Sequence, residues 1–191
     1  LDPEQMNYAL FSNISGEVKK IQAENPIVLM KAVKNQTEAE NIRNAHIKDG
    51  IAHTKFMYWL KKNIGKERVT EMTASAKLEE FRGMQEHYMG PSFGPISAYK
   101  EHAACAHYSS TPETDVELKT EGLFLTDTGG HYWEGSTDIT RTVALGEITE
   151  EMRRHFTTVV CGMLHLANAR FLYGCSGLTL DYAAREPFWR Q

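Results

Sequence analysis

Apolar residues recur at helical spacing in three segments of the chain. The first opens at Thr37-Glu38-Ala39-Glu40, whose T-x-x-E spacing predicts reciprocal capping of free amides. Ile42, Ala45, Ala52, Phe56, Trp59 and Leu60 follow on one face, and Ile47 and Ile51 fall on another. The pattern predicts a helix packed on two sides and ending near Gly65. A second helix is predicted from Thr70, with Ala74, Leu78, Phe81 and Met84 inward, and Lys77, Glu79, Glu80 and Arg82 solvated; its stop signal is Gly90-Pro91. The third starts after Thr149 and aligns Met152, Phe156, Val159, Met163, Ala167 and Phe171 before Gly174, the clearest amphipathic stripe in the chain. Between the second and third helices, Ile96–Tyr99, Ala103–Tyr108, Gly122–Thr126 and Asp138–Leu145 read as short strands, separated by Thr-Pro-Glu-Thr and Thr-Gly-Gly turns. The expectation is an α+β fold. Residues 1–30 read as a separate piece, with Pro26 marking a boundary before the apolar run Ile27-Val-Leu-Met.

Composition narrows the class. At 191 residues, 41% hydrophobic and 24% charged, the chain is neither collagenous, disordered nor a disulfide scaffold. A formal charge of −4 without a basic stripe argues against a nucleic-acid partner. No apolar stretch approaches a membrane span and no targeting segment opens the chain, so a cytoplasmic protein is expected. Cys105, Cys161 and Cys175 form no C-x-x-C and predict reduced, buried thiols. The first residue is not Met, and the last segment, Glu-Pro-Phe-Trp-Arg-Gln, carries no stop signal; both ends are expected to be cut.

The candidate chemistry lies in the stretch from Leu125 to Thr142. Strand alternation sets Asp127 on one face with Leu123 and Leu125, and Asp138 on one face with Thr140 and Thr142. If those faces coincide, two carboxylates converge in an apolar interior, which is costly unless something neutralises them. Divalent cations do so: oxygen-rich sites suit manganese or magnesium and, with added imidazole, zinc. Taken alone, two aspartates eleven positions apart are a weak signal, because surface Asp at hairpin turns are far commoner than ligands. His107 follows the small apolar run Ala103-Ala-Cys-Ala, which places it either in a hydrogen-bonded core role or in a site. His102 and His131 read as ordinary polar positions, and His46, His53, His87, His155 and His165 as helical residues without a metal-ligand partner. No G-x-S-x-G, H-E-x-x-H, P-loop or G-x-G-x-x-G is present.

The order of motifs resembles the cytosolic-type Xaa-Pro aminopeptidases (aminopeptidase P) of the pita-bread metallopeptidase family, which also holds prolidase, methionine aminopeptidase and creatinase. The resemblance runs through Leu29-Met-Lys-Ala-Val-Lys-Asn, Arg43-Asn-Ala-His-Ile-Lys-Asp, Lys77-Leu-Glu-Glu-Phe-Arg, Pro95-Ile-Ser-Ala, Ala106-His-Tyr and Pro112-Glu-Thr. It is most specific at Asp127-Thr-Gly-Gly-His-Tyr and Gly135-Ser-Thr-Asp-Ile-Thr-Arg-Thr. It implies the first half of a pita-bread fold over residues 31–191, with the opening of the second, and residues 1–30 as the tail of a preceding creatinase-like domain. It further implies that Asp127 and Asp138 bind two divalent metal ions, manganese or zinc, with Asp138 bridging. His107 matches the histidine that contacts the scissile amide region. The implied substrates are peptides with proline in second position, cut before that proline.

The chain departs from the family where it ends. A histidine from a His-Gly-x-Gly-His segment and two glutamates, which complete the family's site, are absent from these 191 residues. The isolated chain is therefore expected to bind metal poorly and to be inactive. A metal-free pita-bread binding module and a creatinase-like amidinohydrolase are the rival readings, and both are disfavoured because neither needs Asp127 and Asp138. A half fold also predicts an uncovered apolar surface, and with it a homo-oligomer.

Overall fold

The computed structural model describes residues 1–191. Two short helices, α1 (Tyr8–Asn13) and α2 (Pro26–Ala32), lead in and bury no residue. The run Ile27-Val-Leu-Met forms α2: the Asn25 side chain caps it and Pro26 fills its first turn, where a missing N–H costs nothing.

Helix α3 (Gln36–Asn63) is the long predicted helix, begun earlier than Thr37. Asn35 accepts from the Glu38 amide at 2.9 Å, and Glu38 Oε2 accepts from the Asn35 amide at 2.9 Å. The capping box is thus Asn35/Glu38 and not Thr37/Glu40, because the helix begins two residues upstream, where Asn35 and Glu38 satisfy each other's amides. The helix stops at Asn63, and Gly65 turns the chain at φ +77°. Ala45, Ala52, Phe56 and Leu60 are buried as expected, but Ile47 and Ile51 are 61% and 45% exposed. The second face of α3 carries no partner in this chain.

Helix α4 (Glu71–Gly83) has Thr70 as its cap. It ends well before Gly90-Pro91, which instead belong to strand β1 (Tyr88–Pro91). Ala74 and Leu78 point inward, whereas Met84 is exposed and Arg82 is buried at 1% exposure, the reverse of the expectation for both. Strand β2 (Ile96–Tyr99) follows as predicted, then a 3₁₀ turn over Lys100–Ala104. That turn replaces the strand expected at Ala103–Tyr108. Strands β3 (Leu123–Thr128), β4 (Gly130–Tyr132), β5 (Gly135–Ser136) and β6 (Ile139–Ala144) complete two antiparallel three-stranded sheets, ordered β1-β4-β5 and β2-β3-β6. The β4–β5 hairpin is an arm that leaves the second sheet after Thr128 and returns at Ile139, where the sequence suggested a simple turn.

Helix α5 (Glu150–Ala167) is capped by Thr149, and α6 (Gly177–Trp189) lies against it. A Cβ on Gly162 would meet the Ala184 carbonyl at 2.5 Å, so this glycine sets how closely α5 and α6 approach. The apolar stripe of α5 faces away from any core: Phe156, Val159 and Met163 are 42%, 55% and 57% exposed. The core cluster instead joins Phe56, Leu60, Leu78, Tyr99, Phe124 and Leu145, from α3, α4 and the β2-β3-β6 sheet with the residue just beyond β6. All three cysteines are free, as expected, but Cys105 and Cys175 are exposed rather than buried, because the segments that carry them have nothing packed over them.

Candidate active site

Strand β3 divides its side chains between two environments. Phe124, Thr126 and Thr128 are buried, while Leu123, Leu125 and Asp127 are half-buried. In the β3–β6 ladder Asp127 is the Cα partner of Thr140, and Asp138 precedes Thr140 by two residues. Asp138 lies one residue before β6 begins, and strand alternation continued back from Thr140 would put it on the Asp127 face. The two aspartates do not converge in an apolar interior: Asp138 is exposed.

Asp127 Oδ1 is buried and accepts no hydrogen bond. A buried carboxylate oxygen without a donor is costly, and a hard cation is a partner that removes the cost. The residues present thus fit a divalent metal at Asp127. No group of three or more His, Cys, Asp or Glu side chains is close enough to hold one, so these two aspartates supply only part of a coordination shell.

His107 sits past the 3₁₀ turn, not on a strand, and is exposed. Its φ of +55° is left-handed, a conformation that costs a non-glycine residue on the order of 1–3 kcal/mol unless its surroundings hold it. They do hold it. Glu71, fully buried at the start of α4, accepts from the Tyr99 amide at 2.7 Å and from the Tyr108 hydroxyl at 2.8 Å, and lies 2.9 Å from His102 Nδ1. Ser110 Oγ donates to the Ser97 carbonyl at 3.3 Å, tying the far end of the segment to β2. His102 is thus a packed partner of Glu71 rather than an ordinary polar position.

Behind β3 lies a polar network that amphipathic reasoning did not foresee. Arg82 Nε donates to Asp49 Oδ1 at 2.6 Å, and Arg82 Nη2 donates to Asp49 Oδ2 at 3.3 Å and to Thr128 Oγ1 at 2.9 Å. The Thr137 hydroxyl donates to Asp49 Oδ2 and accepts from the Gly130 amide. His53 Nε2 lies 3.3 Å from Thr126 Oγ1. Burial first, then the Arg82 and Arg141 guanidinium groups, push the His53 imidazole down to about 4. Burial and the Asp49 carboxylate push the Tyr132 phenol above its ordinary range. Gly129 admits no side chain: a Cβ there would stand 2.0 Å from the Thr137 carbonyl oxygen and 2.3 Å from Ser92 Oγ.

A second surface cluster joins His87, Trp133, Glu134 and Lys48. His87 is not helical but sits in a left-handed turn after α4, stacked on Trp133 with ring centroids 4.6 Å apart. Hydrogen bonds from Lys48 and His87 hold the Glu134 carboxyl down to about 2.

Metallopeptidase family M24 matches residues 40–191. Aminopeptidase P1 of Arabidopsis thaliana is 38% identical over all of this chain, which spans 33% of that protein. Among solved structures, an X-prolyl aminopeptidase from Caenorhabditis elegans, described as a cytosolic enzyme with a di-nuclear active site, superposes with a TM-score of 0.81 at 35% identity. It covers 87% of this chain and 27% of its own. An X-Pro aminopeptidase from Thermotoga maritima gives 0.77 at 26% identity, over 98% of this chain and 51% of its own. The chain thus spans about a third of the length of the curated relatives it matches and up to about half of the solved structures.

Proposed function

The chain belongs to metallopeptidase family M24, and from that premise we propose that the protein it comes from removes the first residue of peptides with proline in second position. The observation that carries the reading is the buried, donor-free Oδ1 of Asp127, whose ladder partner Thr140 stands two residues after Asp138. Asp127 and Asp138 would hold two divalent cations, manganese in preference to zinc, since an all-carboxylate pair is a hard oxygen donor set. When bound, such ions supply Lewis acidity and activate water. His107, exposed on a segment fixed by Glu71, would hydrogen-bond the substrate near the scissile amide. Residues 1–30 would be the tail of a preceding domain, a reading supported by the absence of buried residues in α1 and α2 and by a family match that begins at residue 40. The likeness to an enzyme described as cytosolic supports a cytoplasmic location. No helix is long and apolar enough to cross a membrane.

The test is cleavage of an Arg-Pro-Pro peptide by the intact protein with and without added Mn²⁺, beside Asp127→Ala and Asp138→Ala. Metal-dependent release of the first residue, lost in both variants, is expected. Unchanged turnover in either variant would sink the assignment. The 191-residue chain alone is expected to show no turnover, because two carboxylates leave most of a six-coordinate shell to water.

A further inference from the structure

We propose that the buried Asp49–Arg82 pair is a positioning device for the two candidate metal ligands, acting through Thr128 and Thr137. The inference rests on reading Asp127 and Asp138 as ligands. Its starting point is an energetic oddity. Asp49 and Arg82 are 0% and 1% exposed, in a place where apolar side chains of similar volume would stabilise the fold as well or better. What the ion pair adds is direction. The guanidinium is a rigid planar fork, and here it grips both Asp49 oxygens while Nη2 also reaches Thr128 Oγ1.

Each threonine in the network is a chain neighbour of one aspartate. Thr128 follows Asp127, and Thr137 precedes Asp138. Alternation turns the Thr128 side chain away from that of Asp127, so anchoring Thr128 from behind fixes where Asp127 points in front. Thr137 is held on several sides: its hydroxyl meets Asp49 Oδ2 and the Gly130 amide, its carbonyl accepts from Ser92 Oγ at 2.8 Å, and its amide donates to the Gly130 carbonyl at 2.9 Å. The ion pair therefore ties both ends of the β4–β5 arm, where the two candidate ligands sit: Arg82 holds Thr128 and Asp49 holds Thr137. On the other side of Asp127, His53 meets Thr126 in the same way. Metal ligands must be held within about 0.5 Å of their productive geometry, and groups one shell out do that work.

The experiment uses the intact metallopeptidase. Mn²⁺ affinity is measured by competition with a fluorescent chelator, at a temperature where melting curves show every variant folded, together with kcat and KM. Thr137→Val removes the hydroxyl and keeps the shape, Thr137→Ser restores the hydroxyl, and Asp138→Ala serves as the ligand control. Thr128→Val breaks only the Arg82 Nη2 contact and is the second variant if Thr137→Val does not fold. We expect Thr137→Val or Thr128→Val to weaken Mn²⁺ binding by roughly 10- to 100-fold and to lower kcat more than it raises KM, with Thr137→Ser close to the parent. A valine variant that melts lower but binds Mn²⁺ as tightly as the parent, while Asp138→Ala loses it, overturns the positioning role alone. Full Mn²⁺ binding by Asp138→Ala overturns the ligand reading and this inference with it.

Discussion

Glu71 lies 2.9 Å from His102 Nδ1, and the contact joins the first turn of α4 to the irregular segment that carries His107. Because Glu71 also accepts from the Tyr99 amide and the Tyr108 hydroxyl, one buried carboxylate closes both ends of that segment. Glu71→Ala removes an acceptor from several donors at once. Each buried donor left unpaired costs about 1–3 kcal/mol, so a loss of roughly 2–5 kcal/mol in urea unfolding is expected. Hydrogen exchange should quicken over residues 100–108 more than in β3. A uniform increase across the core would show that Glu71 supports the fold at large and not this segment.

The Arg82–Asp49 pair makes a second, thermodynamic prediction. Asp49→Ala leaves a buried guanidinium without its counter-charge, which costs about 3–5 kcal/mol. Replacing both partners, as Asp49→Leu with Arg82→Met, removes the stranded charge and should be milder than Asp49→Ala alone. Denaturant midpoints of the single and double variants decide the matter. A double variant as unstable as the sum of its parts would mean that the two residues act separately.

His53 gives the chain a pH dependence of known sign. Its imidazole is held neutral at about 4 in the fold and titrates near the ordinary 6.5 when unfolded. Between those values the unfolded chain binds the extra proton, so stability is full above pH 6.5, falls as the pH drops toward 4, and levels off below it. The size is on the order of 3 kcal/mol. His53→Gln keeps a partner for Thr126 and cannot titrate, so its stability should stay flat across this window. Glu134, held down to about 2, loses its contribution as the pH falls from 4.5 toward 2, below most of the His53 window. Parallel pH profiles for the parent and His53→Gln would refute the assignment.

These charged and polar groups show where the sequence was legible. Helices α3, α4 and α5 and strands β2, β3 and β6 follow from period and turn signals. Sorting by polarity alone misplaced Arg82, although it stands four residues after Leu78 and eight after Ala74, on the stripe that Leu78 and Ala74 bury. Asp49 stands four residues after Ala45 and three before Ala52, again on a buried stripe. A charge in phase with the apolar face was the available signal. The 3₁₀ turn before His107 was not legible in the same way. Ala103-Ala-Cys-Ala has the composition of a buried strand, and what bends it is Glu71, a contact between residues some thirty positions apart.

The stripe on α5, like the Ile47 and Ile51 face of α3, is a periodic signal that found no partner. Phe156, Val159 and Met163 lie at helical spacing and are all exposed, beside further exposed apolar residues at Leu164 and Leu166. Such a patch exceeds the scattered apolar residues of an ordinary surface and favours association. The 191-residue chain should therefore self-associate as concentration rises in light scattering. Phe156→Glu combined with Met163→Lys should return it toward the monomer without lowering its melting temperature, since neither side chain supports a core. A parent chain that scatters as a monomer at every concentration tested would mean that the patch is tolerated in water. A double variant that melts lower would mean that α5 packs on the rest of the chain more closely than the exposure of its stripe indicates.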